Sequence, residues 1–193
     1  MDHKKEKCDK LLKKLNKTSM LNQPRRTRLV KKLFGSVDGA PYHIQSPIYV
    51  KYGCNIHAGK NFLSNYNAVL QDEAEIFFGD NVMLASNVVL ATNPRSLTDE
   101  QKNCDIDKYL SVQSSSDIHA QPIRIGNGVW ICANVTIFGG VTIGDYAVIG
   151  AGSIVTCDIP SNTFACGTPC RVVREITEND QLEKNMIRGD VMP

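Results

Sequence analysis

The sequence predicts an all-β solenoid: short parallel strands wound into triangular coils around a single narrow core. Three observations predict it. From Ile125 the chain divides into six consecutive hexads, each opening on an aliphatic residue: Ile125, Ile131, Ile137, Ile143, Ile149 and Val155. The fifth places are Val129, Val135, Val141, Ala147, Ser153 and Ile159, and the middle pairs include Asn127-Gly128, Gly139-Gly140, Asp145-Tyr146 and Ala151-Gly152. Earlier runs opening at Ala58, Ser64 and Leu70, and at Phe78, Leu84 and Leu90, keep the same register, with Ile76-Phe77 as a two-residue slip. An amphipathic strand alternates with period two and does not hold a six-residue phase over this distance. A strand and a tight turn repeating every six residues close a coil in three sides. Each coil leaves its edges unpaired until a neighbour stacks on it.

The remaining elements follow in chain order. Residues 3–16 and 22–34 place apolar side chains at helical spacing, with Asn22 as a cap and Pro24 at a helix start. Residues 94–122 lose the phase, and their polar run from Ser111 to Asp117 reads as a long loop ejected from one corner. Residues Arg171 to Arg174 read as a final strand. Residues 176–189 read as a closing helix capped by Thr177, with Asp180 third in line. The expected division is a helical segment over 1–36, a β-helix over 37–175, and a helix or tail over 176–193.

Composition narrows the classes. Of 193 residues, 42% are apolar and 22% charged, which suits a globular domain and not a disordered chain. No apolar run is long enough to span a membrane, and the charged start lacks the apolar stretch of a secretory signal. The expected location is the cytoplasm. Charge is uneven: residues 1–35 carry 12 Lys/Arg against 3 Asp/Glu, while the other 158 carry 10 against 17. A basic arm suggests nucleic acid, but Leu11, Leu12, Leu15, Leu29, Val30 and Leu33 are interleaved at helical spacing and no nucleic-acid motif accompanies them. The arm therefore reads as a solvated helix face. The seven cysteines are odd in number, and Cys166 to Cys170 is the only short spacing, with no His beside it. They read as reduced thiols, with no metal site.

At the level of longer words the chain resembles the maltose and galactoside O-acetyltransferases, a branch of the hexapeptide-repeat acyltransferases. The words are Tyr52-Gly-Cys-Asn-Ile-His57, Ser64-Asn-Tyr-Asn67, Gly79-Asp-Asn-Val82, Asn127-Gly-Val-Trp-Ile131, Val148-Ile-Gly-Ala-Gly-Ser153, and Gly167-Thr-Pro-Cys-Arg-Val-Val-Arg-Glu-Ile176. The resemblance implies a left-handed parallel β-helix, an exception to right-handed crossover. It also implies a homotrimer with sites between subunits, and acetyl transfer from acetyl-CoA to a sugar-like hydroxyl by direct attack in a ternary complex. It places Asn65 and Asp72 on the acceptor side and Ala133 at the oxyanion position through its backbone N–H. Trp130, Ala151 and Thr156 fall along the pantetheine slot, and Arg171 and Arg174 near the CoA phosphates. Metal, nucleic acid and membrane have no part in it.

The base is where the pattern breaks. Relatives carry a His before a Pro, whereas this chain reads Leu90-Ala-Thr-Asn-Pro94, and the amide of Asn93 cannot accept a proton near neutral pH. Cys157 stands where a Lys is common, and the resemblance finds no counterpart here for the N-terminal segment that in relatives carries an acidic residue at the acceptor site. Three readings follow from Asn93. The base has moved, with His119 in the inserted loop as the candidate; or the chain binds CoA or a sugar without efficient transfer; or Asn93 was introduced to inactivate the enzyme. An N-acyltransferase acting on an amino sugar would need a weaker base. Cys132 and Cys157 near the slot leave a covalent acyl intermediate open. His57 reads as a structural turn residue.

Overall fold

The structure, a computed structural model, describes residues 3–39, 42–93 and 120–180. Two helices, α1 (His3–Lys17) and α2 (Gln23–Leu33), precede a parallel β-helix. Face A stacks β1 (Ser36–Val37), β4 (Ile56–Ala58), β7 (Ile76–Phe78), β10 (Ile123–Ile125) and β13 (Thr142–Ile143). Face B stacks β2 (His43–Ile44), β5 (Leu63–Ser64), β8 (Met83–Leu84), β11 (Trp130–Ile131), β14 (Val148–Ile149) and β16 (Thr163–Gly167), then β17 (Cys170–Glu175) antiparallel to β16. Face C stacks β3 (Ile48–Val50), β6 (Ala68–Gln71), β9 (Val89–Ala91), β12 (Thr136–Phe138) and β15 (Ile154–Val155).

The hexad dictates this geometry. Its first residue points inward, and Ile131, Ile137, Ile143, Ile149 and Val155 are fully buried. Its fifth residue is buried too, from Val129 to Ile159. Its fourth turns the corner in the left-handed region, at Gly128, Asn134, Gly140, Tyr146 and Gly152. Asn and Gly reach that conformation at least cost, so the phase is set by backbone chemistry as well as by apolar packing.

The two-residue slip falls slightly off the expected place. Ile76 and Phe77 belong to β7, paired in register with Ile56 and His57 of β4. The extra residues lie in the preceding turn, between faces C and A. Eight residues separate Val50 from Ala58 and Leu70 from Phe78, where six separate Ile137 from Ile143. The expected loop leaves from this same CA edge. Its residues 94–119 lie outside the described residues, and Gln121 N–H rejoins the coil on the Thr92 carbonyl at 2.8 Å.

Both N-terminal helices match the reading, and Asn22 accepts the Arg25 N–H at the start of α2. Arg26 behaves unlike the rest of the basic arm. It is 2% exposed and donates to the carbonyls of Leu15, Thr18 and Ile44 and to Ser46 Oγ. It pins the hairpin onto the first coil. Of the expected closing helix only residues 176–180 are described, and among them Glu178–Asp180 form a 3₁₀ turn where Asp180 accepts the Thr177 N–H at 2.8 Å. Residues 181–193 lie outside the described residues.

Candidate active site

The coil distributes the expected site residues over two edges. Asn65, Ala133 and Ala151 all lie on the edge between faces B and C. There the Gly152 N–H donates to the Ala133 carbonyl at 2.9 Å, which sets Ala133 and Ala151 on successive rungs. Ser86, Cys132 and Gly150 complete a column of small residues. A Cβ at Gly152 would meet nothing within 4 Å, so this edge is open and fits a narrow ligand arm. Asn65 is half-buried on the second coil, and its Oδ1 accepts the Tyr66 N–H at 2.8 Å.

Asn93 stands on the other edge, CA, directly after β9. It is half-buried. Its neighbour Thr92 is fully buried, donates from Oγ1 to the Gln71 carbonyl and accepts the Ala74 N–H. Gly139 lies beneath this turn, where a Cβ would collide with the Thr92 carbonyl. Thr156 shares the CA edge two coils further on.

Asp72 is also on the CA edge but faces inward. It is fully buried and accepts N–H groups of Lys51, Tyr52 and Asn55. Burial pushes its carboxyl above the usual range, and the backbone donors oppose that. It organises the 51–55 turn. The carboxylate lying against the Asn93 turn is its neighbour Glu73. Glu73 pairs with Lys51 at 2.7 Å and approaches Thr92 Oγ1 at 3.5 Å. The sequence reading missed it. Two adjacent acids at a corner cannot both point inward, and the two-residue extension decides which one does.

Trp130 lies outward on face B, 43% exposed, in register between Met83 and Val148. Arg171 is exposed, donates to the Cys170 carbonyl at 2.7 Å and lies 3.7 Å from Cys157 Sγ. Arg174 is held bidentately by Asp180 at 2.6 and 2.8 Å, which raises its pKa and keeps the Asp180 carboxyl well below the usual range. His119 lies outside the described residues. His57 is a strand residue rather than a turn residue. It stacks on Phe77 at 4.8 Å, with Arg124 over the far ring at 4.5 Å. Among the described residues, no group of three or more His, Cys, Asp or Glu is placed to hold a metal.

A coil of hexads carrying open small-residue edges and C-terminal arginines defines a hexapeptide-repeat transferase, and residues 122–157 match the family described as bacterial transferase hexapeptide (six repeats). The galactoside O-acetyltransferase of Escherichia coli K12 is 41% identical over 157 residues, covering 81% of this chain and 71% of its own. A solved maltose O-acetyltransferase from Clostridium difficile 630 is 41% identical with a TM-score of 0.80, over 91% of this chain and 87% of its own. A galactoside acetyltransferase solved with coenzyme A is 38% identical with a TM-score of 0.79, over 92% and 82%. The chain belongs to this family of galactoside and maltose O-acetyltransferases.

Proposed function

We propose that the chain transfers acetyl from acetyl-CoA to a hydroxyl of a sugar-like acceptor, in a homotrimer whose sites form between subunits. The observation that carries this reading is the split of the matched residues over two edges. Of these, Asn93, Asp72 and Thr156 lie on CA and Asn65, Ala133 and Ala151 on BC, and the whole of face C separates the two groups within one protomer. A second subunit presenting its BC edge to the first one's CA edge closes that gap. Outward ladders support the association: Leu63, Met83, Trp130 and Val148 on face B, and Tyr49, Val69, Val89, Thr136 and Ile154 on face C, where Thr136 is the one polar member. Apolar rows of this kind favour burial.

Acetyl-CoA supplies the activated thioester. The open BC edge accommodates its narrow arm, the backbone N–H at Ala133 is the donor for a developing oxyanion, and Trp130 flanks the column. Arg171 offers a guanidinium suited to phosphate. Arg174 must exchange Asp180 for phosphate to do the same. On the acceptor side Asn65 offers an amide and Asn93 a second one that orients a hydroxyl without taking its proton. The proton goes to His119 or to another group facing the Asn93 turn. General-base help is typically worth about 10²–10⁴-fold, so its source sets the rate.

Chromatographic separation of CoA from acetyl-CoA, with glucosides, galactosides, maltose and amino sugars as acceptors, tests the proposal. The expected result is acceptor-dependent CoA release, with faster release in Asn93→His. Release abolished in His119→Ala would assign the base to the loop. CoA binding with no release in the parent, and release in Asn93→His, would replace the enzyme reading with a binding protein on an acetyltransferase scaffold. Asn93 is the observation that favours that second reading. Turnover confined to amino sugars would make the reaction N-acylation.

A further inference from the structure

Between α1 and α2 runs a groove that the acetyl-transfer chemistry does not use. Two cavities of about 610 and 450 Å³ share Lys14, Asn22 and Arg25, so they form one continuous cleft. Its walls carry Lys10, Lys13, Lys14 and Lys17 from α1 and Arg25, Arg28 and Lys32 from α2, and no carboxylate lines either cavity. Lys10 also pairs with Glu6 at 2.6 Å.

Local physics opposes this arrangement. Lys10 with Lys14, Lys13 with Lys17, and Arg28 with Lys32 are like charges one helical turn apart, which repel. The first turn of α2 holds no acid and carries Arg25, against the helix dipole. General basicity does not explain it, because residues 36–193 hold more Asp and Glu than Lys and Arg. Repulsion concentrated in one cleft is offset when an anion occupies it.

The chemistry of the cleft selects the anion. No aromatic ring lines it, so nucleic-acid bases have no stacking platform. Its cations come from both helices along one groove, and Leu21 is the single apolar side chain fully exposed at the hairpin turn, which gives a membrane little to hold. Thr18, Ser19 and Asn22 add hydroxyl and amide groups at one end. From Lys10 to Lys17 α1 rises about 10 Å, long enough to engage several charges in a row. The turn closing this end is pinned by Arg26 to Ile44 and Ser46, one rung above Asn65 on the BC edge.

We propose that the α1–α2 groove binds an anionic glycan, a saccharide chain bearing carboxylates or phosphates, and so selects a charged acceptor for the BC edge below. This rests on the acetyl-transfer reading for its purpose but not for its test.

The test is fluorescence anisotropy with a labelled hexameric uronate chain, against neutral maltohexaose, a single-stranded oligonucleotide and anionic phosphatidylglycerol vesicles. Variants are Lys14→Glu/Arg25→Glu, the milder Lys14→Gln/Arg25→Gln, and a control, Lys7→Glu/Lys31→Glu, that changes net charge equally outside the groove. The expected result is uronate binding weakened roughly tenfold or more by both groove pairs and little changed by the control. Equal loss in the control, uronate binding no tighter than maltohexaose, or tighter binding of oligonucleotide or vesicles would each overturn it. Acetylation of the uronate is read in parallel. Groove-dependent binding with no acetyl transfer to the uronate or to any neutral sugar would leave the groove standing and remove the transfer reading. Transfer to neutral sugars without uronate binding would do the reverse.

Discussion

Asn67, Asn87 and Asn134 hold left-handed backbone at the same corner of three coils, and each amide donates to the next at 3.0 Å. Replacing Asn87 by Ala removes both side-chain bonds and puts into the left-handed region a residue that tolerates it less well than Asn. The expected cost is about 2–3 kcal/mol, read by urea denaturation. Cys8 carries a pH signature. Burial pushes its thiol up to about 12, against an unfolded value of about 8.5. Below the unfolded value its contribution is fully present. As pH rises through 9 toward 12 the unfolded chain loses the proton and the folded one keeps it, so stability falls. Thermal melts from pH 7 to 11 should show a steeper alkaline loss in the parent than in Cys8→Ala. At this scale the sequence was legible where backbone chemistry repeats, as in the corner Asn and Gly. It was illegible where orientation decides a role, as with Asp72 and Glu73. Glu73→Gln keeps Asp72 and its backbone donors and removes the carboxylate that pairs with Lys51 and lies beside Thr92. A fall in kcat with little change in melting temperature is the expected result.

The helices and the CA edge show what whole elements contribute. Arg26 looked like one more charge on a basic arm, because nothing in a one-dimensional pattern marks a guanidinium that satisfies carbonyls from three elements. Its replacement by Met keeps the stem and orphans those carbonyls, for an expected loss of about 3 kcal/mol or more. Early proteolytic cleavage between α2 and β3 should accompany it. Of the expected helix over residues 176–189, the described residues hold one 3₁₀ turn bound by Asp180. The period shows that the coil is interrupted but not at which edge, and counting in sixes leaves Ile76 and Phe77 over although both pair in register in β7 and the extra residues lie in the turn before it. Gly139→Ala probes the CA edge. Its Cβ would push on the Thr92 carbonyl, and the expected result is lost turnover with CoA binding retained.

At the scale of the whole molecule, the hexad period fixed the coil because each rung repeats the same inward residues. Leu70, Leu90, Ile137 and Val155 form one such row, all fully buried. The division of the site between two edges was not readable in the same way. Residue-by-residue matching assigns roles without saying which edge each residue occupies, and edges follow only from the register of the strands. That division is the centre of the account, and subunit complementation tests it most directly. Ala151→Trp blocks the BC edge, and Glu73→Gln with Asn93→Ala disables the CA edge. Each protein alone should be inactive. After the two are dissociated, mixed and reassociated, the account predicts recovery of about a quarter of parental turnover, the statistical share of interfaces with both edges intact. Mixed oligomers that form and stay inactive would contradict it, placing both halves of the site within a single chain.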